Sequence, residues 1–469
     1  MSRSQKRPVE GLQIDGFTLG PLLHRGGFAT IWEVTHPNHP GPMVMKVPTI
    51  LDGDDGPTIV GFEIEQMILP RLSGPHVPQL IAAGDFAVMP YLVTAKLPGA
   101  SFQELFDRAP LPPDQLVALA IEIASALHEV HRQRVIHLDL KPGNLMRDEA
   151  GRLVLIDYGL ARHLDLPDLL GEEFAIPMGT FPYIAPEQYL HHRDDPRSDI
   201  FAFGAMLYEL ATGRLPFGQT TTLRAVRRRL WRDPLPPRAL NPELPPWLQE
   251  IILRALEVEP EERFQSAAQM AFDLGHPDQV QLTARATKLS RDGIWPVLRR
   301  RWRARRIRGY LPAPTAEDTA RAQVVMAAVD LSPEMEALSQ EILSATREIL
   351  HFRPEARLAC VNVLRSARIQ LDQGTDEAGN NLHVARLVAL KAWGEALGLP
   401  EGRVTYTVLE APDPGNALTE HATRILAGHI VMGARASSAL RRYLGSVSAQ
   451  VVAEAPCTVT IVRLPAPGG

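Results

Sequence analysis

Apolar residues recur along this chain with two periods, and the places where the period switches mark its organisation. Short β-type runs come first: Phe17–Val34 and Pro42–Val47 read as strands in a β-rich beginning. Pro113–Arg132 then sets Leu116, Leu119, Ile123, Leu127 and Val130 at helical spacing, which predicts an amphipathic helix with one buried face. Helical patterns return at Ser198–Thr212, Trp247–Glu257 and Ser266–Leu274. From Asp278 to about Ala320 the pattern breaks. That stretch holds the basic, tryptophan-punctuated run Leu298–Arg308 and a Pro/Ala-rich turn at Leu311–Pro314, which is linker behaviour. From Gln323 the text changes again, with buried-strand runs at Val324–Val329, Leu358–Val363 and Thr458–Val462 separated by helical stretches. Strands alternating with helices predict a parallel sheet with crossovers. The chain therefore divides into residues 1–276, a linker over 277–320, a second domain over 321–464 and a tail, 465–469.

Composition narrows the class without naming a function. A chain of 469 residues exceeds one ordinary core, and 45% hydrophobic with 22% charged residues describes soluble globular protein. A net charge of −5 gives no reason to expect wholesale nucleic-acid binding. Two cysteines, Cys360 and Cys457, make no disulfide framework, and a reducing cytoplasm is the expected compartment. Met1–Glu10 is polar, without an apolar signal core, and no uninterrupted apolar run is long enough to span a bilayer. The pair His191-His192 sits in a polar loop without a partner cluster, so it is not expected to hold a metal.

Moving a γ-phosphoryl group from ATP needs a backbone cradle and a lysine for the phosphates. It also needs acidic and amide side chains for magnesium, and a carboxylate to orient the attacking hydroxyl. These parts occur in order. His137-Leu-Asp-Leu-Lys-Pro-Gly-Asn144 follows a predicted helix and precedes the strand Leu153–Ile156. Asp157-Tyr-Gly159 lies thirteen residues past Asn144, and Gly179-Thr-Phe-Pro-Tyr-Ile-Ala-Pro-Glu187 comes next. Asp199 and Arg263 complete the series, and Met43-Val-Met-Lys46 lies upstream. Each piece alone is an ordinary capping, turn or surface sequence. Together, from about Phe17 to Leu274, they resemble the protein kinases.

That resemblance implies an α+β bilobal protein kinase fold and assigns roles. Asp139 would accept the hydroxyl proton, with Lys141 beside it, and Asn144 and Asp157 would ligate magnesium (or manganese). Lys46 would touch the α- and β-phosphates. Its ion-pair partner is Glu63 or Glu65, with Glu65 the better fit because Leu69 and Leu72 then take apolar positions. Tyr91–Thr94 reads as the strand into the hinge, so Ala95 to Leu97 would meet adenine through backbone groups, with Thr94 at the back of the pocket. Gly26, Gly27 and Ile31 would form the phosphate loop, where the family shows Gly-x-Gly-x-x-Gly-x-Val. Here the stretch is His24-Arg-Gly26-Gly-Phe-Ala29-Thr-Ile31, so only the central glycine is kept.

A second departure concerns control. Leu138 stands where many kinases have the Arg that reads a phosphate on the activation segment, and Gly159–Gly179 contains no Ser or Thr. Both absences predict a kinase not switched by phosphorylation of that segment. Lys141 and Thr180 imply serine/threonine specificity in a non-specific serine/threonine protein kinase. The rivals are a small-molecule phosphotransferase, which would lack the Gly-Thr…Ala-Pro-Glu segment, and a pseudokinase scaffold, which would lack a catalytic residue. Protein substrates bearing Ser/Thr acceptors are the expected partners.

Residues from about Arg321 to Leu464 resemble a universal stress protein domain, a Rossmann-like α/β unit with a parallel five-stranded sheet. The match rests on Ala-Val-Asp330, on Ile430-Val-Met-Gly433-Ala-Arg-Ala-Ser…Leu444-Gly445-Ser446-Val447, and on the closing run Val451–Val462. In ATP-binding members the Asp and a second-strand valine (here Asp330 and Val363) contact the nucleoside, and the glycines and Ser446 wrap the phosphates. Ala436 replaces the second glycine, and the interval to Gly445 is one residue short. Two readings stay open: nucleotide sensing, or glycines that serve only tight turns. Thr458–Val462 is a candidate homodimer edge by analogy. Seven arginines between Arg299 and Arg308 read as a solvated helix pairing with acidic surface, with contact to anionic lipid or nucleic acid as the alternative. Stress signalling is the implied setting.

Overall fold

The computed structural model describes residues 8–50, 56–174, 176–306, 324–365, 381–400, 402–434 and 445–464, with side chains of 303–306 excepted. The first domain opens on a six-stranded antiparallel sheet in the order β1-β2-β3-β4-β6-β5. Its strands are β1 (Gln13–Ile14), β2 (Phe17–Arg25), β3 (Ala29–His36), β4 (His39–Pro48), β5 (Leu80–Gly84) and β6 (Tyr91–Ala95). One face packs Phe17, Leu19, Trp32, Val34, Met43 and Met45 into a core of its own. The other face receives helix Gly56–Ile68, whose Ile59, Phe62, Ile64 and Ile68 join the main core.

The larger lobe is helical. Pro113–Arg132 forms the helix its periodicity predicts, burying Leu116, Leu119, Ile123, Leu127 and Val130. It packs against helix Arg197–Thr212 and helix Ala267–Gly275, the latter N-capped by the Ser266 side chain, which accepts from the Gln269 amide. Between them run four short strands, β7 (Val135–Ile136), β8 (Leu145–Arg147), β9 (Leu153–Leu155) and β10 (Arg162–His163), paired β7 with β10 and β8 with β9. These pairings fix the loops that carry the polar motifs.

Within the stretch that composition marks as linker, helices form at Ala284–Thr287 and Ile294–Arg306. Their partners explain why. The Gln249 amide donates to the carbonyls of Arg285, Ala286 and Lys288, Arg285 pairs with Glu250 and Glu257, and Lys288 and Arg300 converge on Asp233 and Asp292. Hydrophobic periodicity cannot register an anchor made of ion pairs and carbonyl contacts. Trp295 and Trp302 stay exposed. The turn at Leu311–Pro314 and the arginine run beyond Arg306 lie outside the described residues.

The C-terminal domain is the parallel α/β unit that alternation predicts. Five strands, β11 (Val324–Ala328), β12 (Arg357–Arg365), β13 (Val404–Ala411), β14 (Ala427–Gly433) and β15 (Thr458–Val462), are ordered β13-β12-β11-β14-β15. Every pairing in that sheet is parallel. Helices Glu336–His351, Leu382–Glu395, Pro414–Arg424 and Ser446–Glu454 supply the crossovers. Cys360 is buried in β12, where burial pushes its thiol pKa up.

Candidate active site

Three loops and one helix bring the polar motifs to a single cleft. Asp199 starts the construction. It is fully buried near the first turn of helix Arg197–Thr212, and its carboxylate accepts from the amides of His137 and Leu138, both at 2.8 Å. A ring nitrogen of His131 lies 2.8 Å away. These bonds hold its carboxyl below the ordinary range against the cost of burial. They also hold Leu138 at φ 60°, a left-handed backbone that a branched side chain adopts only when its surroundings impose it. The strained loop aims Asp139 into the cleft.

Asp139 is saturated with donors. Lys141 Nζ is 2.6 Å from Oδ2, Asn144 Nδ2 donates to its backbone oxygen at 2.9 Å, and the Thr180 amide and hydroxyl reach Oδ1 at 2.9 and 2.7 Å. A buried carboxylate so surrounded presents its oxygens to a hydroxyl without first shedding water. Sequence reasoning singled out Thr180 for specificity but missed this contact.

Facing it is a second set. Lys46 on β4 lies 2.6 Å from Glu65 and 2.8 Å from Asp157. Of the two glutamates the sequence left open, Glu65 is the one at the lysine; Glu63 points elsewhere and pairs with Lys391. The Lys46 ammonium pulls the Asp157 carboxyl down to about 2 despite its burial, so Asp157 is anionic at neutral pH. Against the cost of burial, the Asp157 and Glu65 carboxylates hold Lys46 protonated, its pKa well above the usual lysine value. Asp157 also sits at φ 66°. Helix Gly56–Ile68 comes close enough to form these pairs because Gly61 meets Gly159 backbone to backbone. A Cβ on Gly61 would lie 3.1 Å from the Gly159 carbonyl oxygen. That requirement is invisible in the sequence, where Gly61 is one glycine in a helix.

The loop expected to meet phosphates is the β2–β3 turn. Gly26 donates to the Ala29 carbonyl at 2.9 Å, Gly27 has open space where a Cβ would stand, and Ile31 follows on β3. At the hinge, the Ala95 and Lys96 amides are spent on the carbonyls of Gln79 and Pro42, and Thr94 lies opposite Val44 of β4. Leu97 follows directly. Below the cleft, Glu187 and Arg263 form a bidentate pair at 2.6 and 2.8 Å, with Ser198 also donating to Glu187. Arg229 is a second residue the sequence concealed. It is 1% exposed and gives its guanidinium to the carbonyls of Phe181, Pro182 and Ile184, yet it stands in a run of three arginines that reads as a solvated face. With only neutral acceptors around it, burial lowers its pKa to about 9.

The second candidate site lies at the carboxyl ends of the parallel strands. Asp330 follows β11, Val363 is near the end of β12, Gly433 ends β14, and Gly445 and Ser446 begin helix Ser446–Glu454. Strand order reverses between β11 and β14, where open α/β sheets form a crevice. The Ser332 amide and hydroxyl both donate to Asp330. Gly433 has a packing reason of its own, since a Cβ there would meet the Leu338 side chain at 2.5 Å. Gly445 has none among the described residues, its nearest neighbour there being Ser448 Oγ at 3.7 Å. Ala436 and the shortened interval lie outside the described residues. Among the described residues no group of three or more His, Cys, Asp or Glu side chains gathers that could hold a metal ion, and no helix is long and apolar enough to cross a membrane.

Comparison with known proteins agrees with both halves. Residues 17–273 match the protein kinase domain and residues 322–463 the universal stress protein family. The chain is 30% identical over 264 residues to a protein named as a probable serine/threonine-protein kinase of Streptomyces coelicolor, covering 55% of this chain and 39% of that one. It is 28% identical over 269 residues to the serine/threonine-protein kinase PknL of Mycobacterium bovis, covering 57% and 67%. The chain thus spans between two fifths and two thirds of these relatives' lengths. The crystal structure of the Mycobacterium tuberculosis PknI kinase domain is 23% identical, with a TM-score of 0.46, covering 58% of this chain and 99% of that domain.

Proposed function

Because its match to the protein kinase domain takes in more than half of its length, the chain belongs to the protein kinase family, and we propose that it transfers the γ-phosphoryl group of ATP to serine and threonine hydroxyls of proteins. One observation carries this reading. The Asp139 carboxylate already receives a threonine hydroxyl, that of Thr180, at 2.7 Å, with the Lys141 ammonium 2.6 Å from its other oxygen. A carboxylate held so can orient an acceptor hydroxyl and take its proton as the phosphoryl group arrives, while the ammonium offsets the developing charge.

The other residues fit the same chemistry. Lys46 is held protonated to meet phosphate oxygens, and Glu65 fixes its direction. Anionic Asp157 and the buried Asn144, whose amide nitrogen faces Asp139, are the oxygen donors suited to magnesium or manganese. A bound divalent cation would neutralise charge on the phosphates. With the Ala95 and Lys96 amides already engaged, adenine is left the hinge carbonyls and the Leu97 amide, with Thr94 behind. Gly26 and Gly27 leave room for phosphates, and Ile31 adds an apolar flank. A pseudokinase would lack one of these groups; all are in place.

In the C-terminal crevice, Asp330 and Val363 are the side chains for an adenine nucleoside, and the bare amides at Gly445 and Ser446 those for phosphates. Gly433 adds nothing to that case, because packing against Leu338 accounts for it. The edge position of β15 supports homodimer formation, two free cysteines support a cytoplasmic setting, and the match to the universal stress protein family supports a role in stress signalling. The test is to incubate the full chain with labelled ATP, magnesium and a generic protein substrate, then map the labelled residues. Label on serine and threonine, with an initial rate unchanged by prior phosphatase treatment, is expected. ATP binding without transfer under magnesium or manganese would leave a scaffold.

A further inference from the structure

The C-terminal domain rests on the two parts of the cleft whose placement decides whether Lys46, Glu65 and Asp157 meet. One is helix Gly56–Ile68. Lys391, on helix Leu382–Glu395, pairs with Glu63, two residues before Glu65. The same ammonium lies 5.3 Å from the centre of the Phe86 ring, which packs edge-on against Phe62 of that helix. The other part is the activation segment. Its short helix, Leu169–Glu173, is gripped from the start of β12 and the end of helix Pro414–Arg424. Arg357, the first residue of β12, holds the Glu172 carboxylate with both arms at 2.7 and 3.1 Å. Arg424, ending helix Pro414–Arg424, donates to the carbonyls of Glu172 and Glu173 at 3.2 and 2.6 Å. Cations there satisfy carbonyls that a helix end leaves open.

The segment itself explains the need. Glu63, Glu172 and Glu173 gather at this seam, and burial beside the other two raises the Glu173 carboxyl well above its ordinary range. Without the cations of the C-terminal domain these acids would repel each other across the gap between helix and segment. Within the first domain the residue before that helix, Asp168, is tied to Arg193 and Arg162, and the far end of the segment is held by Arg229 and Asp139. The ring of Phe174, just beyond the gripped helix, lies 3.4 Å from where a Cβ on Gly56 would stand, so the segment and the Glu65 helix touch. Leu138 offers nothing to a phosphate, and the segment offers no hydroxyl before Thr180.

We propose that Arg357, Arg424 and Lys391 are positioning residues for phosphoryl transfer, through which the C-terminal domain clamps the activation segment and the Glu65 helix in their working arrangement and acts as an activator carried on the same chain. Carboxylates held by arginines replace the phosphate held by an arginine. This rests on the kinase reading above and deepens it.

The test uses the full chain with R357E, E172R, the double variant and K391A. Each single charge reversal is expected to lower kcat about tenfold, within the 5- to 150-fold range of typical coupling, while KM for ATP moves less than threefold. The double variant, with the charges exchanged, should recover to within about threefold of wild type, which a merely misfolded single variant would not. K391A, a gentler change, should lower kcat severalfold. Amide hydrogen exchange over residues 164–174 should accelerate in R357E and slow again in the double variant. Single variants as fast as an active wild type, or a double variant no better than the singles, would sink the clamp and leave the kinase reading standing. A wild type that transfers nothing, with exchange over 164–174 alike in all variants, would sink both.

Discussion

The two crevices of this molecule differ in how their polar residues are held. In the cleft of the first domain, each charged group proposed for chemistry is fixed by another: Lys46 by Glu65 and Asp157, Asp139 by Lys141, Asn144 and Thr180, and the loop beneath by Asp199. In the crevice of the C-terminal domain the candidate residues stand at separate strand ends, and one of its glycines is explained by packing alone. Mutual fixation is what preorganised charge chemistry needs, because reorienting polar groups during reaction is the main cost it avoids. A glycine-lined crevice can bind without it. The first region therefore offers chemistry its charge pairs, and the second offers the space its backbone leaves open.

The strongest way to break this contrast is to remove charge from the first region. Asp139→Asn keeps the shape of the side chain and the donors around it but cannot take a proton, so the transfer rate should fall by about 10²–10⁴-fold. Lys46→Met should lose a comparable amount, since the phosphates lose a charge-assisted partner. Both variants should keep the far-ultraviolet dichroism of wild type. Initial rates with labelled ATP measure the loss, and a drop of less than tenfold in Asp139→Asn would mean that another group does the work.

The contrast also explains what the sequence could disclose. The kinase residues were legible because order and spacing tie many charged positions to one another across lobes; Asp139, Asn144, Asp157, Asp199 and the Glu187–Arg263 pair each sit where the resemblance puts them. The parallel sheet was legible from alternation of apolar runs. Arg229 was not, because burial of an arginine among carbonyls leaves no trace in local periodicity. Gly61 was not, because close approach to Gly159 is a relation between segments far apart in sequence. The seam between the domains was hidden for the same reason. Its ion pairs join Glu63 to Lys391 and Glu172 to Arg357, and each residue alone reads as solvated charge.

In the second region, paired glycine substitutions sharpen the comparison. Gly433→Val should destabilise the C-terminal domain by about 1–3 kcal/mol, the usual cost of forcing methyl groups into packed space, here against Leu338 and Ile342. Gly445→Val meets no crowding from the described residues and should stay within about 0.5 kcal/mol of wild type. Nucleotide titration by calorimetry then separates the roles. If adenine nucleotide binds the wild type and Gly445→Val abolishes it, the bare amides are the phosphate donors. Binding that survives in Gly445→Val places the phosphates elsewhere.

The smallest effect tests the rule of mutual fixation at an exception among the described residues of the cleft. Tyr158 follows Asp157, is fully buried, and packs its ring 5.1 Å from that of His137, but its hydroxyl has no hydrogen-bond partner among the described residues. Burial, together with the nearby anions Asp199 and Glu65, drives the phenol pKa far up, so the hydroxyl stays protonated and contributes no charge. An unpaired buried hydroxyl costs on the order of 1–3 kcal/mol, part of which its ring contacts offset. Tyr158→Phe removes the hydroxyl and keeps the ring. It should raise the stability of the first domain by about 1 kcal/mol, seen as a higher urea midpoint at unchanged slope, with the transfer rate within twofold of wild type. A variant less stable than wild type by the same margin would mean that the hydroxyl is bonded to ordered water, and Tyr158 would then be no exception.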